Sequence, residues 1–446
     1  MYPLRPLKVY VLDRVQDNPA WVARVERILG GIAERPDEIV TVTEANLPEA
    51  VAELKALWPP ADVPDGVPPT FLRPIVFTTS HLDDEAPDVD ALLERCPEGT
   101  LGIARAVLGL IERVRPTHMR ESDAERNHVC WPTHDFGTMN GCPHGCHYCG
   151  EGKSGCCIVT AVNLEEFMDR VVGPTVEQFP WQKCFRMIGW GADHLTFEPE
   201  NGAFDLFTRK LAEYPDRYAY FHTASSNVDW IADLPRRDRL IGVWSVTCEG
   251  VARLLEGGTG HAADRFEAGR KCQEMGVPIR YKFKPIIPIR GWREDYAQAI
   301  EQMLRRSKPE SVGFCVAMWM PWEELARRVD PDLLDPDLVA AARDAADELK
   351  NVRTGPFPHA VRADIYRHFI REVRRWDSDV PLYVSTESRE MWDELAGELG
   401  QKPQAYVCAC SSVAIPGRRL ALSKGCPAST YLPPEARPCP AQPTEE

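Results

Sequence analysis

No stretch of this sequence is apolar for long enough to cross a bilayer, which takes about 20 consecutive apolar residues. The opening MYPLRPLKVYVLD lacks the basic start, apolar stretch and small-residue cleavage site of a secretory signal, so a cytoplasmic protein with no membrane partner is expected. Positive charge is in deficit: 52 Lys and Arg face 67 Asp and Glu, a net charge of -15. Duplex-DNA binders usually carry a basic footprint, and RRDRL at 236–240 and RRSK at 305–308 are short. Nucleic acid is therefore an unexpected partner, and a cationic or neutral one is favoured. No glycine-rich fingerprint follows the first strand-like run, which removes dinucleotide binding. GEGKS at 150–154 ends like a phosphate loop, but the glycine required five residues before the Gly-Lys pair is replaced by His147.

Cysteine is not scarce. Fifteen in a chain of 446 residues, an odd number in an expected cytoplasmic protein, argue for free thiols rather than a disulfide scaffold. Cys248, Cys272 and Cys315 are expected as buried thiols, and cysteines at ligand spacing as the exceptions.

The length predicts two or three domains. Strand-like LKVYVLD (7–13), EIVTVT (38–43) and PIVFTT (74–79) alternate with helical stretches, which predicts a small N-terminal βαβαβ domain over 1–126. Over 127–330 the strand-helix repeats lengthen. KCFRMIGW (183–190), YAYFHTA (218–224), LIGVWSVT (240–247), PIRYKFKPII (278–287) and SVGFCVA (311–317) predict an α/β core built as a partial or full parallel barrel. Residues 331–446 are expected to be mostly helical, to complete the barrel with VPLYVSTE, and to end in a cysteine-containing tail.

Cys142, Cys146 and Cys149 form a C-x3-C-x2-C run among Gly141, Pro143, Gly145 and Gly150, which are loop-forming residues. Three thiolates on one short loop suit three corners of a four-iron cluster, leaving the fourth iron without a protein ligand. A zinc site completed by His144 or His147 is the alternative. The C-terminal CACSSVAIPG, with Cys426 and Cys439, could hold a second metal or act as a lid.

With Tyr148 just before its last cysteine, the triplet resembles that of the radical S-adenosylmethionine superfamily. VNLEEFMDRV, ADHLT, SSNVDWI, VWSVTCEGVARLLEGGT, PIIPIRGWREDY and PLYVSTESREMW are similar, in this order, to segments of its spore photoproduct lyase-like branch. The resemblance implies a [4Fe-4S] cluster on the triplet and S-adenosyl-L-methionine bound at its open iron. It also implies reduction by an electron donor such as flavodoxin or ferredoxin. Tyr148, Gly189, Gly191, Ser225, Asn227 and Ser245 would then be cofactor contacts. Glycine suits Gly189 and Gly191 because the backbone must approach closely there.

The photoproduct lyases carry a hydrogen-donating cysteine ahead of the segment matching ADHLT. Here the nearest, Cys184, is displaced toward the start of its strand, and Ala224 replaces the family's third-strand lysine. With the acidic charge balance, these departures point to a small cationic or polyhydroxylated substrate. Radical dehydration of an aminosugar in antibiotic biosynthesis, similar to the diol dehydratases, is the expected reaction. Asp193, His194, Glu249 and Glu387, near predicted strand ends, are the expected catalytic groups. The alternatives are lyase-like DNA repair and a non-catalytic iron-sulfur or zinc protein.

Overall fold

The computed structural model describes residues 1–83, 88–118, 129–150, 155–188 and 191–422 of the chain. Strands β1 (Val9–Leu12), β2 (Ile39–Val42) and β3 (Ile75–Thr78) pair in parallel, with β1 central. The connecting helices are Pro19–Gly31 and Leu47–Ala56, so the N-terminal βαβαβ pattern appears as its hydrophobic periodicity predicts. Asn18 starts the first helix by accepting from the N–H of Ala20, just before Pro19.

Six further strands run through the middle of the chain. They are β4 (Val114–Thr117), β5 (Thr133–Phe136), β6 (Met139–Asn140), β7 (Ile158–Ala161), β8 (Cys184–Met187) and β9 (Tyr218–Thr223). After them come β10 (Leu240–Val246), β11 (Ile279–Ile286), β12 (Val312–Val316) and β13 (Leu382–Val384). β7 leaves the core and pairs in parallel with β3, and β6 joins it antiparallel, giving the order β2-β1-β3-β7-β6. The boundary expected at residue 126 is therefore crossed: the chain makes two strands of the core sheet, β4 and β5, then returns to finish the N-terminal sheet. Cys157, Ile158, Val159 and Val162 accordingly pack in the N-terminal hydrophobic cluster.

The core sheet runs β13-β12-β11-β10-β9-β8-β5-β4. Its strands from β5 to β13 are parallel, and β4 adds an antiparallel edge. β5 and β12 are buried along their whole length, as in a parallel sheet covered on both faces. Among the described residues β13 and β4 are edges with no pairing to each other. The sheet is thus open, and the closed version of the expected barrel does not occur. Between residues 331 and 400 the α-helices are Pro336–Asp344, the short Ala346–Leu349, His359–Trp376 and Arg389–Leu399. Ser388 caps the last of these by accepting from Met391 N at 3.2 Å, and Gly400, at φ 71°, ends it.

Residues 405–415 tie the sheet together at the strands' starting ends. Trp131 Nε1 donates to Tyr406 O at 3.1 Å and Ser412 Oγ to Pro132 O at 2.7 Å. Lys183 N and Cys184 N donate to Ser412 O at 2.8 and 2.9 Å, and Arg280 Nη2 to Ala414 O at 2.8 Å. Ala409 N donates to the buried Tyr383 hydroxyl at 3.0 Å. The Cys408–Cys410 stretch is thus a strap inside the fold rather than a lid, and Cys426 and Cys439 lie outside the described residues.

The close approach of Tyr383 to Gly313 on the neighbouring strand sets a first expectation. A Cβ at residue 313 would stand 2.1 Å from Tyr383 Cζ. Gly313→Ala should therefore destabilise the protein by about 1–3 kcal/mol, measured as a fall in the denaturant midpoint at constant slope.

Candidate functional site

The loop carrying Cys142, Cys146 and Cys149 follows β6, close to the carboxyl end of β5, and its three thiols are free and half-buried. Gly141 (φ 85°) and Gly145 (φ 66°) make its turns. A Cβ at residue 141 would meet Cys157 O at 2.3 Å, and one at Gly258 would meet Pro143 O at 2.5 Å, so neighbouring backbone presses on the loop from two sides.

The loop is clamped by polar contacts. Arg73 Nη1 donates to Cys142 O at 2.5 Å, and Thr70 Oγ1 donates to Pro143 O. His147 N donates to Leu255 O, and Gly258 N to His144 O, each at 2.8 Å. His144 Nε2 bonds Asp193 Oδ2 at 2.8 Å, while its Nδ1 faces Gly258 O at 3.3 Å. Both ring nitrogens of His144 are thus engaged, which removes it from the zinc alternative.

Burial pushes the Cys142 and Cys146 thiols up, and the negative groups around them, Asp193 beside the first and Glu256 beside the second, add to it. A cationic metal core would relieve that cost, because a coordinated thiol is deprotonated outright. Among the described residues no three His, Cys, Asp or Glu side chains gather as one bound ion requires. A four-iron cluster places each thiolate on a different iron and asks for wider spacing. The three thiols on one clamped loop fit such a cluster.

Each of the four expected catalytic groups has partners within the protein. Asp193, buried at the end of β8, accepts from His144, from Thr223 Oγ1 at 2.7 Å, from Ala224 N at 3.0 Å and from Leu195 N at 3.2 Å. Burial alone would raise its carboxyl, but these bonds outweigh it and hold the group below its usual range. Its task is to position the cysteine loop. His194, also buried, faces Thr138 Oγ1 at 3.2 Å, and burial pushes its imidazole down to about 4. Glu249 is half-buried and bonds His261 Nδ1 at 2.6 Å and Ala262 N at 3.0 Å, capping a helix. Glu387 is fully buried against Arg362 Nε and Tyr366 OH, each at 2.8 Å, and bonds Ser388 N at 3.0 Å. A carboxylate with those partners has little left to offer a substrate.

The expected cofactor contacts divide. Gly189 lies outside the described residues; Gly191 turns the chain at φ 61°. Ser225 Oγ accepts from Asn227 N at 3.0 Å, and Asn227 Nδ2 donates to Leu195 O and Glu198 O, both at 2.7 Å, so this pair organises the loop after β9. Tyr148 OH donates to the buried Glu256, which also accepts from Arg265.

Tyr148 and Ser245 do line a cavity of about 380 Å³. Tyr148, Cys149 and Gly150 form one wall; His222, Ser245, Lys284 and Cys315 stand opposite on β9, β10, β11 and β12. Arg328 completes the lining and bonds Tyr148 O at 3.2 Å and Glu324 Oε1 at 2.5 Å. Lys284 Nζ lies 4.3 Å from the Trp319 ring centre. Burial, then the neighbouring Lys282 charge, lower the Lys284 ammonium; the same two causes hold His222 well below its ordinary value, so its imidazole is neutral at pH 7. Ser245 Oγ bonds His222 Nε2 at 3.0 Å. Among the described residues no carboxylate lines this cavity.

Sequence reasoning missed His222, Arg328 and Trp319, and also the buried pair in which Lys282 Nζ donates to Cys410 Sγ at 3.2 Å. The lysines carried a usable signal: Lys282 and Lys284 alternate on one strand and so share a face. Cys184 Sγ donates to Ala414 O at 3.3 Å, at the start of β8 and away from the cysteine loop, as its displacement implied.

Residues 133–317 match the family model described as spore photoproduct lyase. The spore photoproduct lyase of Bacillus subtilis (strain 168) is 27% identical over 170 residues, covering 36% of this chain and 48% of that protein. The aligned part thus spans about half the length of this curated relative. A solved spore photoproduct lyase complexed with dinucleoside spore photoproduct superposes with a TM-score of 0.56 at 15% identity, covering 86% of this chain and 99% of that one. A variant solved with bound AdoMet and dinucleoside spore photoproduct gives 0.57 at 15% identity, covering 86% and 98%. At that identity the likeness is one of fold.

The parallel core and its cysteine loop resemble those of the radical S-adenosylmethionine proteins. Within that class the matched segment, residues 133–317, is similar to the spore photoproduct lyases.

The state of His194 makes stability depend on pH. Below pH 6.5 the unfolded chain takes up a proton that the native imidazole refuses until about pH 4, so stability is lost as pH falls through that window, by up to about 3 kcal/mol. His194→Gln should flatten this part of the profile, measured by urea unfolding at pH 7 and pH 5.

Proposed function

We propose that the protein is a radical S-adenosylmethionine lyase acting on a phosphate-bearing nucleotide lesion. The observation that carries this reading is the sign of the cavity beside the cysteine loop. Lys284 and the Glu324-paired Arg328 face it, His222 and Ser245 offer neutral hydrogen-bonding groups, and among the described residues no carboxylate lines it. A cationic aminosugar would meet like charge there, so the carboxylate-based dehydratase expectation is not carried forward. A phosphate would supply the counter-charge that Lys284 lacks. The match to the spore photoproduct lyase family supports the same substrate class. The acidic balance of the whole chain, -15, disfavours long contact with duplex and suits a short displaced segment.

In this reading Cys142, Cys146 and Cys149 hold the cluster, and S-adenosylmethionine occupies the part of the cavity beside Tyr148–Gly150. Together the two groups supply a hydrogen-abstracting carbon radical when one electron arrives from a small redox protein such as ferredoxin or flavodoxin. The chain's own residues bind, orient and exclude water. Asp193, through His144, keeps the cysteine loop in register with the ends of β8 and β9. Lys284 holds the substrate phosphate, and the Ser245–His222 pair presents a fixed neutral hydrogen bond beside it. Because Lys284 is lowered by burial and by Lys282, anion affinity should fall as pH rises through its titration.

Replacing all three triplet cysteines with alanine should remove the iron and the release of 5'-deoxyadenosine; retention of about four irons per chain would place the cluster elsewhere. In the reconstituted, reduced enzyme a phosphodiester-linked dinucleoside lesion should yield more 5'-deoxyadenosine than the same lesion lacking the phosphate. Lys284→Ala should cut that advantage by about ten-fold or more, with Lys284→Arg restoring part of it. Turnover of cationic sugars, with none of any nucleotide lesion, would overturn the proposal.

A further inference from the structure

The cavity beside the cysteine loop does not end at Trp319. Trp319 and Met320 also line a second, more open groove of about 330 Å³, with Lys350, Asn351, Val352 and Arg353. The two spaces therefore share a wall made of an indole and a thioether. Trp319 is 43% exposed, unusually open for so large an apolar side chain. Its backbone stands at φ 70°, a left-handed conformation that a bulky residue rarely adopts. Trp319 N donates to Arg353 O at 3.0 Å, which fixes that conformation to the outer groove. Strain of this kind persists where the surroundings over-determine it, and it clusters at ligand sites.

Charge continues across the wall as well. The inner lining carries Lys284 and the Glu324-paired Arg328, the outer one Lys350 and Arg353, and among the described residues neither lining contains an Asp or Glu. In a chain of net charge -15, two adjoining linings of one sign form a local inversion of the overall field. A cationic trough crossed by an aromatic face is the pattern that holds single-stranded nucleic acid. The cations follow the backbone, and the ring accepts any base by stacking.

We propose that the outer groove is a subsite for the nucleotide flanking the reacting one, with Trp319 carrying its base and Lys350 and Arg353 its phosphodiester. The inference rests on the nucleotide reading of the inner cavity and extends it: the substrate is a strand of at least three residues rather than an isolated dinucleotide. The strand enters over Trp319, and the reacting pair lies inward, toward Cys149.

The test uses the reconstituted full-length protein under nitrogen and fluorescein-labelled thymidine oligonucleotides of two, three and four residues, read by anisotropy. Wild type should bind the three-residue probe about ten-fold more tightly than the two-residue probe, with no comparable gain from three to four. In Lys350→Gln the ratio between the two shorter probes should collapse toward one. The salt dependence of three-residue binding should also lose about 0.7 in logarithmic slope, the share of one phosphate contact. Trp319→Leu should remove the distinction between a three-residue probe and its counterpart with an abasic flanking position, and Trp319→Phe should keep it. Equal binding of two and three residues by wild type, or a full ratio in Lys350→Gln, overturns the subsite while leaving the inner site standing. Failure of every thymidine probe to bind wild type overturns the subsite, and failure of the dinucleoside lesion to yield 5'-deoxyadenosine overturns the nucleotide reading with it.

Discussion

One buried carboxylate holds the site in place. Asp193 gathers bonds from the cysteine loop through His144, from the end of β9 through Thr223 and Ala224, and from its own turn through Leu195. A charge in that position is costly unless its lone pairs are filled, and here four donors fill them. The same contacts decide where three thiols can stand relative to the sheet. Arg73 and Thr70 close the clamp from the N-terminal domain, so that domain helps to build the site.

Much of the fold was legible because its strands are β-branched runs separated by helical periodicity. β1, β2, β3 and the core strands from β8 to β13 fall inside the stretches read as strands. The return of β7 to the first sheet was not legible: CIVTAV reads as a strand, but nothing local says which sheet it joins. That the cysteine triplet lies on a turn-rich loop was legible because its flanking Gly and Pro are a local signal. The catalytic candidates were not. Glu387 looks like a strand-end carboxylate, and only the folded chain brings Arg362, on the helix His359–Trp376, against it. Sequence position placed Glu249 and Glu387 near strand ends, but direction and partners decide whether a carboxylate is available.

Charge shows the same gap between chain and site. A net charge of -15 describes the far field, and it suggested a cationic substrate. The cavity reverses that sign because its walls come from alternate positions on buried strands, where one Lys can outweigh many exposed carboxylates in a screened solvent. Lys282 illustrates the cost. At 2% exposure its ammonium has a thiol, Cys410, as its hydrogen-bond acceptor, and no carboxylate among the described residues lies within salt-bridge distance.

The strap formed by residues 405–415 bears on how the protein is made. It supplies acceptors for Lys183 and Cys184 at the start of β8, for Arg280 on β11, and for Trp131 ahead of β5. During synthesis those three strands leave the ribosome well before residue 405 does. The N-terminal sheet can close as soon as β7 emerges, but the core must wait with polar groups along its lower rim unsatisfied. Translation at about 5–20 residues per second puts that wait at roughly ten seconds or more for β8. The first domain can therefore fold on the ribosome, while the core, its cavity included, is completed only near the end of synthesis.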